Sequence, residues 1–426
     1  MHILKGYTKQ EISWMMYDWA NSAHSVIIVT LLPIFFDTVA GYTADSVSSM
    51  STWGYATSIA MLIVALAAPF LGVFGDIRGM RKKLFSFFML LGVAACAGMA
   101  FTPVMDFTSG PVAAGKVASL ILVLYIVSVI GFDASAIYYD AFLTDVTTED
   151  RMDKVSTMGY GLGCIGGSTI PLLIFLIMNL VGVPMLTCLA FVFGLTAVWW
   201  LAFSLPLLKN CEQTSGKPYE KGDVARSIKG VGTTIKEIIA NKPMLIYILS
   251  YFFYIDGVHT VISMATTYGT NLGLDSTGMM LALLLVQILG LPFCLLYIKC
   301  SEKFGARTMV GFGICVYMFI CIFAFFMNSL WQFWVLAVLC ATSQGGIQAL
   351  SRSMYGKLIP DKDRSGEFFG FFDIFGKFSS IMGPALVGVV SSVVANGMLG
   401  GAGETVTLLS RRLQLSMTPD PALFDR

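Results

Sequence analysis

Long apolar blocks separated by short polar punctuation run through almost all of this 426-residue chain. Each block is about as long as the roughly 20 residues that a helix needs to cross a bilayer. Spans are expected at residues 14–36, 53–74, 84–105, 117–142, 157–180, 184–207, 244–270, 276–298, 308–328, 331–351 and 367–395. The first is the most polar. In YDWANSAHSVII (Tyr17–Ile28), Asp18, Asn21, Ser22 and Ser25 recur at i, i+3, i+4 and i+7 and share one helix face. A carboxylate at lipid depth is costly and faces protein interior or a water-filled cavity, so this face is a candidate pathway lining.

Composition agrees with the pattern. The chain is 56% hydrophobic and 12% charged, well below the charge content of soluble domains, and it reads as an all-α polytopic membrane protein. The charges are sorted. Lys5 and Lys9, Arg78 to Lys83, Arg151 and Lys154, seven basic residues from Lys209 to Lys242, Lys299 to Arg307, and Arg352 to Arg364 all fall in loops of one side. Through the eleventh span the other side holds Lys116 alone, so the N-terminus is expected in the cytoplasm. The N-terminal run has no small-residue cleavage site and reads as an uncleaved first helix. Nine cysteines lie scattered, mostly in apolar runs, with no zinc or disulfide spacing.

The longest polar connection divides the chain: a six-helix bundle over 1–208, a cytoplasmic linker over 209–242, a five-helix bundle over 243–396 and an atypical polar tail over 397–426. Weak internal repeats support the division. GDIRGMR (Gly75–Arg81) matches SEKFGAR (Ser301–Arg307), Asp150-Arg151 matches Asp363-Arg364, and NSAHSVI (Asn21–Ile27) matches DGVHTVI (Asp256–Ile262). Asn21, His24 and Ser25 thereby pair with Asp256, His259 and Thr260, as two polar stripes facing a central cavity.

GDIRGMRKK (Gly75–Lys83), between spans two and three, resembles the loop signature of the major facilitator superfamily. YDWANS (Tyr17–Ser22), YYDAFLTD (Tyr138–Asp145), GGIQALSRSMYGKLIP (Gly345–Pro360) and EFFGFFDIFGKF (Glu367–Phe378) resemble the branch of autophagy-related vacuolar amino-acid effluxers and their bacterial relatives. The resemblance covers roughly residues 10 to 395 and implies a two-bundle fold, here with eleven spans and the twelfth missing. It also implies a rocking transporter with a central site and, from the fungal members, amino-acid export. His24 stands where the family more usually has tyrosine.

Candidate residues fall into two groups. Asn21, Ser25, Asp133, Asp256, His259, Gln344 and Gln348 are expected along a substrate or proton pathway. Asp256 and His259 stand one turn apart, where a histidine beside a carboxylate suits proton coupling; a hydrogen-bonded structural pair is the blander reading for His259. The glutamines either bridge helices or bind ligand. Asp18, Asp76, Gly79, Arg81, Arg151, Asp373 and Lys377 are expected to gate. Asp76 would accept from Arg151 or cap a helix N-terminus, and in the superfamily its loop meets the eleventh helix, here near Ser365–Glu367. Asp373 and Lys377 stand at i, i+4 and would neutralise each other within one helix, or open for a zwitterionic ligand.

GFFDIFGKFS (Gly370–Ser379) has the wrong glycine spacing for a phosphate loop, with Phe378 where Ser or Thr is required. Transport energy would come from an ion gradient or from the substrate's own. No cofactor, metal, nucleotide or nucleic acid is expected; the partners are a small-molecule substrate, the bilayer and protons. The tail after residue 396 carries Glu404, Arg411, Arg412 and Asp420 and cannot cross as a standard apolar helix, which predicts a truncated or frameshifted copy. The competing readings are a membrane sensor on the same scaffold and an inactive copy.

Overall fold

The computed structural model describes residues 4–43, 49–218 and 223–398, and these are built of helices, with one isolated β-bridge between Ile77 and Lys217. In order they are α1 Lys9–Ala40, α2 Ser49–Gly75, α3 Arg81–Met99, α4 Pro111–Val146, α5 Met152–Gly163, α6 Ile170–Leu180, α7 Met185–Asn210, α8 Asp223–Ala240, α9 Lys242–Asn271, α10 Ser276–Phe304, α11 Ala306–Phe325, α12 Leu330–Leu358 and α13 Ser365–Met398. Among the described residues, ten helical segments are long and apolar enough to cross a membrane. The eleventh expected span corresponds to α13, a 34-residue helix outside those ten. Residues 399–426, which carry most of the atypical tail, lie outside the described residues.

Several helices run past the expected boundaries. α1 starts at Lys9 because Thr8 and Glu11 form a capping box: Thr8 Oγ1 accepts from the Glu11 amide at 3.1 Å and Glu11 Oε2 from the Thr8 amide at 2.7 Å. The expected linker over 209–242 contains α8, whose Thr234 and Ile238 are buried.

The fifth span is interrupted. α5 and α6 join through a π-helical turn, Cys164–Thr169. The glycine seam of this segment lies against α1. A Cβ on Gly163 would come within 2.9 Å of the Asp18 carbonyl oxygen, and one on Gly167 within 2.8 Å of the Ala23 nitrogen. The Ser22 face of the first helix is therefore packed on α5, since only glycine lets the two backbones come so close.

The buried apolar residues form one large cluster drawn mainly from α1 to α7 and two smaller ones drawn mainly from α8 to α13. Leu284, Leu291 and Ile298 of α10 join the first cluster, and Ala141 of α4 joins the second. These crossings mark the seam between the two halves, where the candidate residues gather.

Candidate functional site

Three layers of charged contacts tie the halves together, stacked inward from the end that carries most of the Lys and Arg, called here the basic end. The outermost is built around Asp76. α2 stops at Gly75, and the chain turns back through Gly79, whose φ of +80° suits glycine. Asp76 then meets the N-terminus of α13: Oδ1 accepts from the Gly366 amide at 2.7 Å and Oδ2 from the Glu367 amide at 2.8 Å. These are first-turn donors with no partner inside their own helix, and the dipole there favours negative charge. Glycines make the approach possible. A Cβ on Gly72 would lie 2.7 Å from the Gly366 carbonyl carbon, and one on Gly370 2.5 Å from the Ala68 oxygen.

Arg81 is fully buried and holds this layer in place. Its Nη2 donates to Asp76 Oδ1 at 2.9 Å and to Ser365 Oγ at 2.8 Å, and its Nη1 donates to Asp145, to the Ala141 carbonyl and to Ser215 Oγ. Burial pushes the Asp76 carboxyl up to about 7, against the pull of Arg81 and the two amides. Arg151 does not take part, contrary to expectation. It caps α5, which packs on α1, so its Nε and Nη2 donate to Glu11 at 2.7 Å.

The second layer is one arginine from the second half inserted into the first. Arg352, six residues before the end of α12, donates from Nη2 to Asp18 and from Nη1 to Asp140, both at 3.2 Å. Its Nε donates to Ser156 Oγ of α5 at 3.0 Å. The guanidinium lies over the rings of Trp14 (4.7 Å) and Tyr139 (5.2 Å), which stack on each other at 4.3 Å. Five first-half side chains thus hold one second-half cation. Sequence reasoning missed it, counting Arg352 only as a topology charge. Its signal was an arginine at the end of an apolar span in a chain with an excess of intramembrane carboxylates.

The third layer lies deeper. Asp133 and Lys377 are each twelve or thirteen residues from the basic end of α4 and α13, roughly 18 Å along a helix. Lys377 donates to Asp133 Oδ1 across the seam and stands 3.6 Å from Asp373 Oδ1 on its own helix. The intrahelical neutralisation expected from i, i+4 spacing is therefore the secondary contact, because α4 brings a closer carboxylate. Oδ2 of Asp133 and Oδ2 of Asp373 are buried without a hydrogen-bond partner among the described residues.

The other candidates are placed separately. Gln344 and Gln348 both donate to the Tyr160 hydroxyl, at 3.4 and 3.1 Å, bridging α12 and α5. Asn21 is buried, and Ser25 Oγ lies 3.5 Å from the Asn21 carbonyl within α1. The Nδ1 of His259 is 3.3 Å from Ser379 Oγ. Asp256 is half-buried beside Gly383, with Oδ1 unpartnered.

Comparison with known proteins gives this arrangement a family. Residues 39–150 and 144–397 match the family described as "Vacuole effluxer Atg22 like". An uncharacterized MFS-type transporter, YxiO, of Bacillus subtilis (strain 168) is 42% identical over 399 residues, 92% of this chain and 90% of that one. Autophagy-related protein 22-1 of Penicillium rubens is 25% identical over 56% of this chain, but the match covers 44% of its own length. Among solved structures, the proton:xylose symporter XylE superposes with a TM-score of 0.65 at 13% identity, over 91% of this chain and 90% of that one. A bacterial homologue of ferroportin in an outward-facing state superposes with a TM-score of 0.60 at 16% identity, over 88% and 89%. Those structural likenesses speak for the fold, and the family and sequence matches carry the rest: the chain belongs to the Atg22-like vacuole effluxer family, a branch of the major facilitator superfamily of transporters.

Proposed function

We propose that the chain is a secondary active transporter that exports small polar metabolites, amino acids foremost, by alternating access. One observation carries the reading: buried ion pairs bind the halves toward one end, with Arg352 in the Asp18–Asp140 cradle as the principal tie. Leaving one member of a buried ion pair without its partner costs about 3–5 kcal/mol, so such a contact favours either a closed or a fully rearranged state. At the opposite end, α1 and α9 make no extended contact among the described residues. Sorting of Lys and Arg supports a cytoplasmic basic end and a cytoplasmic N-terminus, and the compact loops fit a bacterial plasma membrane. On that orientation the conformation is closed to the cytoplasm.

Export is supported by the effluxer description of the family. Amino acids are supported by the carboxylates of the third layer, which can accept the ammonium group that an amino acid carries. Protons are the proposed coupling ion, with Asp256 as the group that carries them, because an ionisable carboxylate within an apolar span is costly and more often serves a function than packing.

The test is flux through the purified chain in liposomes, with a panel of amino acids, with and without a pH gradient. At least one amino acid is expected to move, and Arg352→Gln is expected to slow it by about tenfold or more. Asp256→Asn is expected to abolish gradient-driven movement while sparing exchange. If no amino acid moves under either condition, the cargo assignment is wrong. If Asp256→Asn removes exchange as well, the proton role is wrong.

A further inference from the structure

We infer that the Asp133–Lys377–Asp373 centre is a binding site for an ammonium group, and that Lys377 is its tethered stand-in. In the empty state the Lys377 ammonium occupies Asp133. The cargo's ammonium takes that place, and Lys377 swings to Asp373. The inference rests on the transport reading for its cargo and extends it to particular atoms.

Charge is the first argument. Two carboxylates face one lysine, so with both ionised one negative charge is uncompensated well inside the membrane-crossing region. The layer beneath has no positive charge to lend, since Asp18 and Asp140 already share Arg352 alone. One added positive charge brings the centre to neutrality.

The oxygens are the second argument. Asp133 Oδ2 and Asp373 Oδ2 are both buried and accept nothing among the described residues, although an ionised carboxylate has capacity for several donors. An ammonium brings three donors. The centre can also be reached: the Lys377 and Asp373 side chains are 17% and 20% exposed, whereas Asp133 is 3% exposed.

Geometry supplies the exchange. Asp373 lies one turn before Lys377 on α13, 3.6 Å from its Nζ, so moving between partners takes only side-chain rotation. The partner given up belongs to α4 and the partner gained to α13. The swap therefore cuts the deepest ionic tie between the halves and leaves Lys377 paired within its own helix. Arrival of an ammonium at Asp133 would in this way loosen the closed end.

The experiment uses the full chain purified in detergent, with its thermal unfolding followed against concentration of n-butylammonium, butyrate or sodium ion. Only n-butylammonium is expected to stabilise it. Lys377→Gln removes the internal competitor and is expected to lower the n-butylammonium dissociation constant about tenfold. The double variant Asp133→Asn with Lys377→Gln is expected to lose binding. Should Lys377→Gln not purify, Asp373→Asn is read instead; it leaves Lys377 nowhere to swing and is expected to weaken binding about tenfold. Unchanged or weaker binding by Lys377→Gln, unchanged binding by Asp373→Asn, or equal stabilisation by butyrate or sodium overturns the proposal. The two readings fail separately. A chain that binds n-butylammonium in this manner but moves no amino acid loses its cargo assignment and keeps the site. Amino-acid flux that ignores Lys377→Gln removes the site and keeps the cargo.

Discussion

The two halves carry matched motifs but are packed very differently. In the first, half of the apolar stretch of α1 is buried; in the second, 22% of the corresponding stretch of α9, Lys242–Thr266, is buried. α7 makes the difference. It lies along α1 and α3, with Trp199 Nε1 donating to the Trp19 carbonyl at 3.0 Å and the Trp200 ring 5.2 Å from His24. No helix among the described residues plays that part for α9 and α11. Instead a cavity of about 560 Å³ opens among α9 to α12, lined by residues including Thr260, Tyr268, Gln287, Phe325, Phe333 and Gln344. The histidines matched by the repeat show the consequence. His24 is buried, stacked 4.7 Å from Phe132 with Nε2 3.2 Å from Ser128 Oγ, whereas His259 is half-buried beside Ser379. A repeat preserves a position along a helix; the covering helix decides what that position touches.

Aromatic truncation breaks the comparison most directly. Trp200 is fully buried and Phe253 of α9 is 69% exposed. Trp200→Ala is expected to destabilise the purified chain by about 3–5 kcal/mol through lost packing and a cavity, and Phe253→Ala by about 0.5 kcal/mol or less. Helix association in lipid depends on such packing, because lipid tails are as apolar as the side chains. Equal melting shifts for the two variants would mean that the halves are equally tight.

Glycines sharpen it, with opposite signs. A Cβ on Gly92 would meet the Trp200 ring, whereas one on Gly257 of α9 would meet nothing within 4 Å. Gly92→Ala is expected to cost about 1–3 kcal/mol by overpacking. Gly257→Ala is expected to gain about 0.5–1 kcal/mol, since alanine is the better helix former. Thermal unfolding of both variants checks the signs. A loss at Gly257 would place something in the open groove.

Much of the fold was legible because a membrane imposes one strong rule, apolar stretches of fixed length, and that rule survives in a single sequence. The Asp76 contact with α13 was legible through the resemblance, since the loop motif and the start of the eleventh span can be matched without coordinates. Arg352 was not. Its meaning depends on α12 meeting α1, α4 and α5, three elements distant in sequence, and its place at the end of an apolar span does not say which carboxylates it will meet. Lys377 failed in a different way. Its i, i+4 neighbour Asp373 offered a local explanation, and a local explanation concealed the closer partner on α4. The polar face of α1 was read as lining a pathway; Asp18 and Asn21 are buried, Ser22 and Ser25 are half-buried, and Gly163 and Gly167 place the Ser22 side against α5 and the π-helical turn that follows it.

A small effect is also expected from an exposed ion pair between the halves. Lys362 Nζ and Glu149 Oε1 are 2.7 Å apart, yet their side chains are 45% and 57% exposed. Lys362 holds the Glu149 carboxyl below its usual range, but water and salt screen the pair and two long side chains must be ordered to form it. Glu149→Gln is accordingly expected to shift the melting temperature by less than about 1 kcal/mol would, and high salt is expected to erase the difference. The Arg352 contact is shielded by Trp14 and Tyr139, so its loss should persist in the same salt. Measuring Glu149→Gln and Arg352→Gln side by side at low and high ionic strength separates the two classes of contact. A salt-resistant effect at Glu149 comparable with that at Arg352 would show that the halves are held at their rim, and that the buried arginine is not the principal tie.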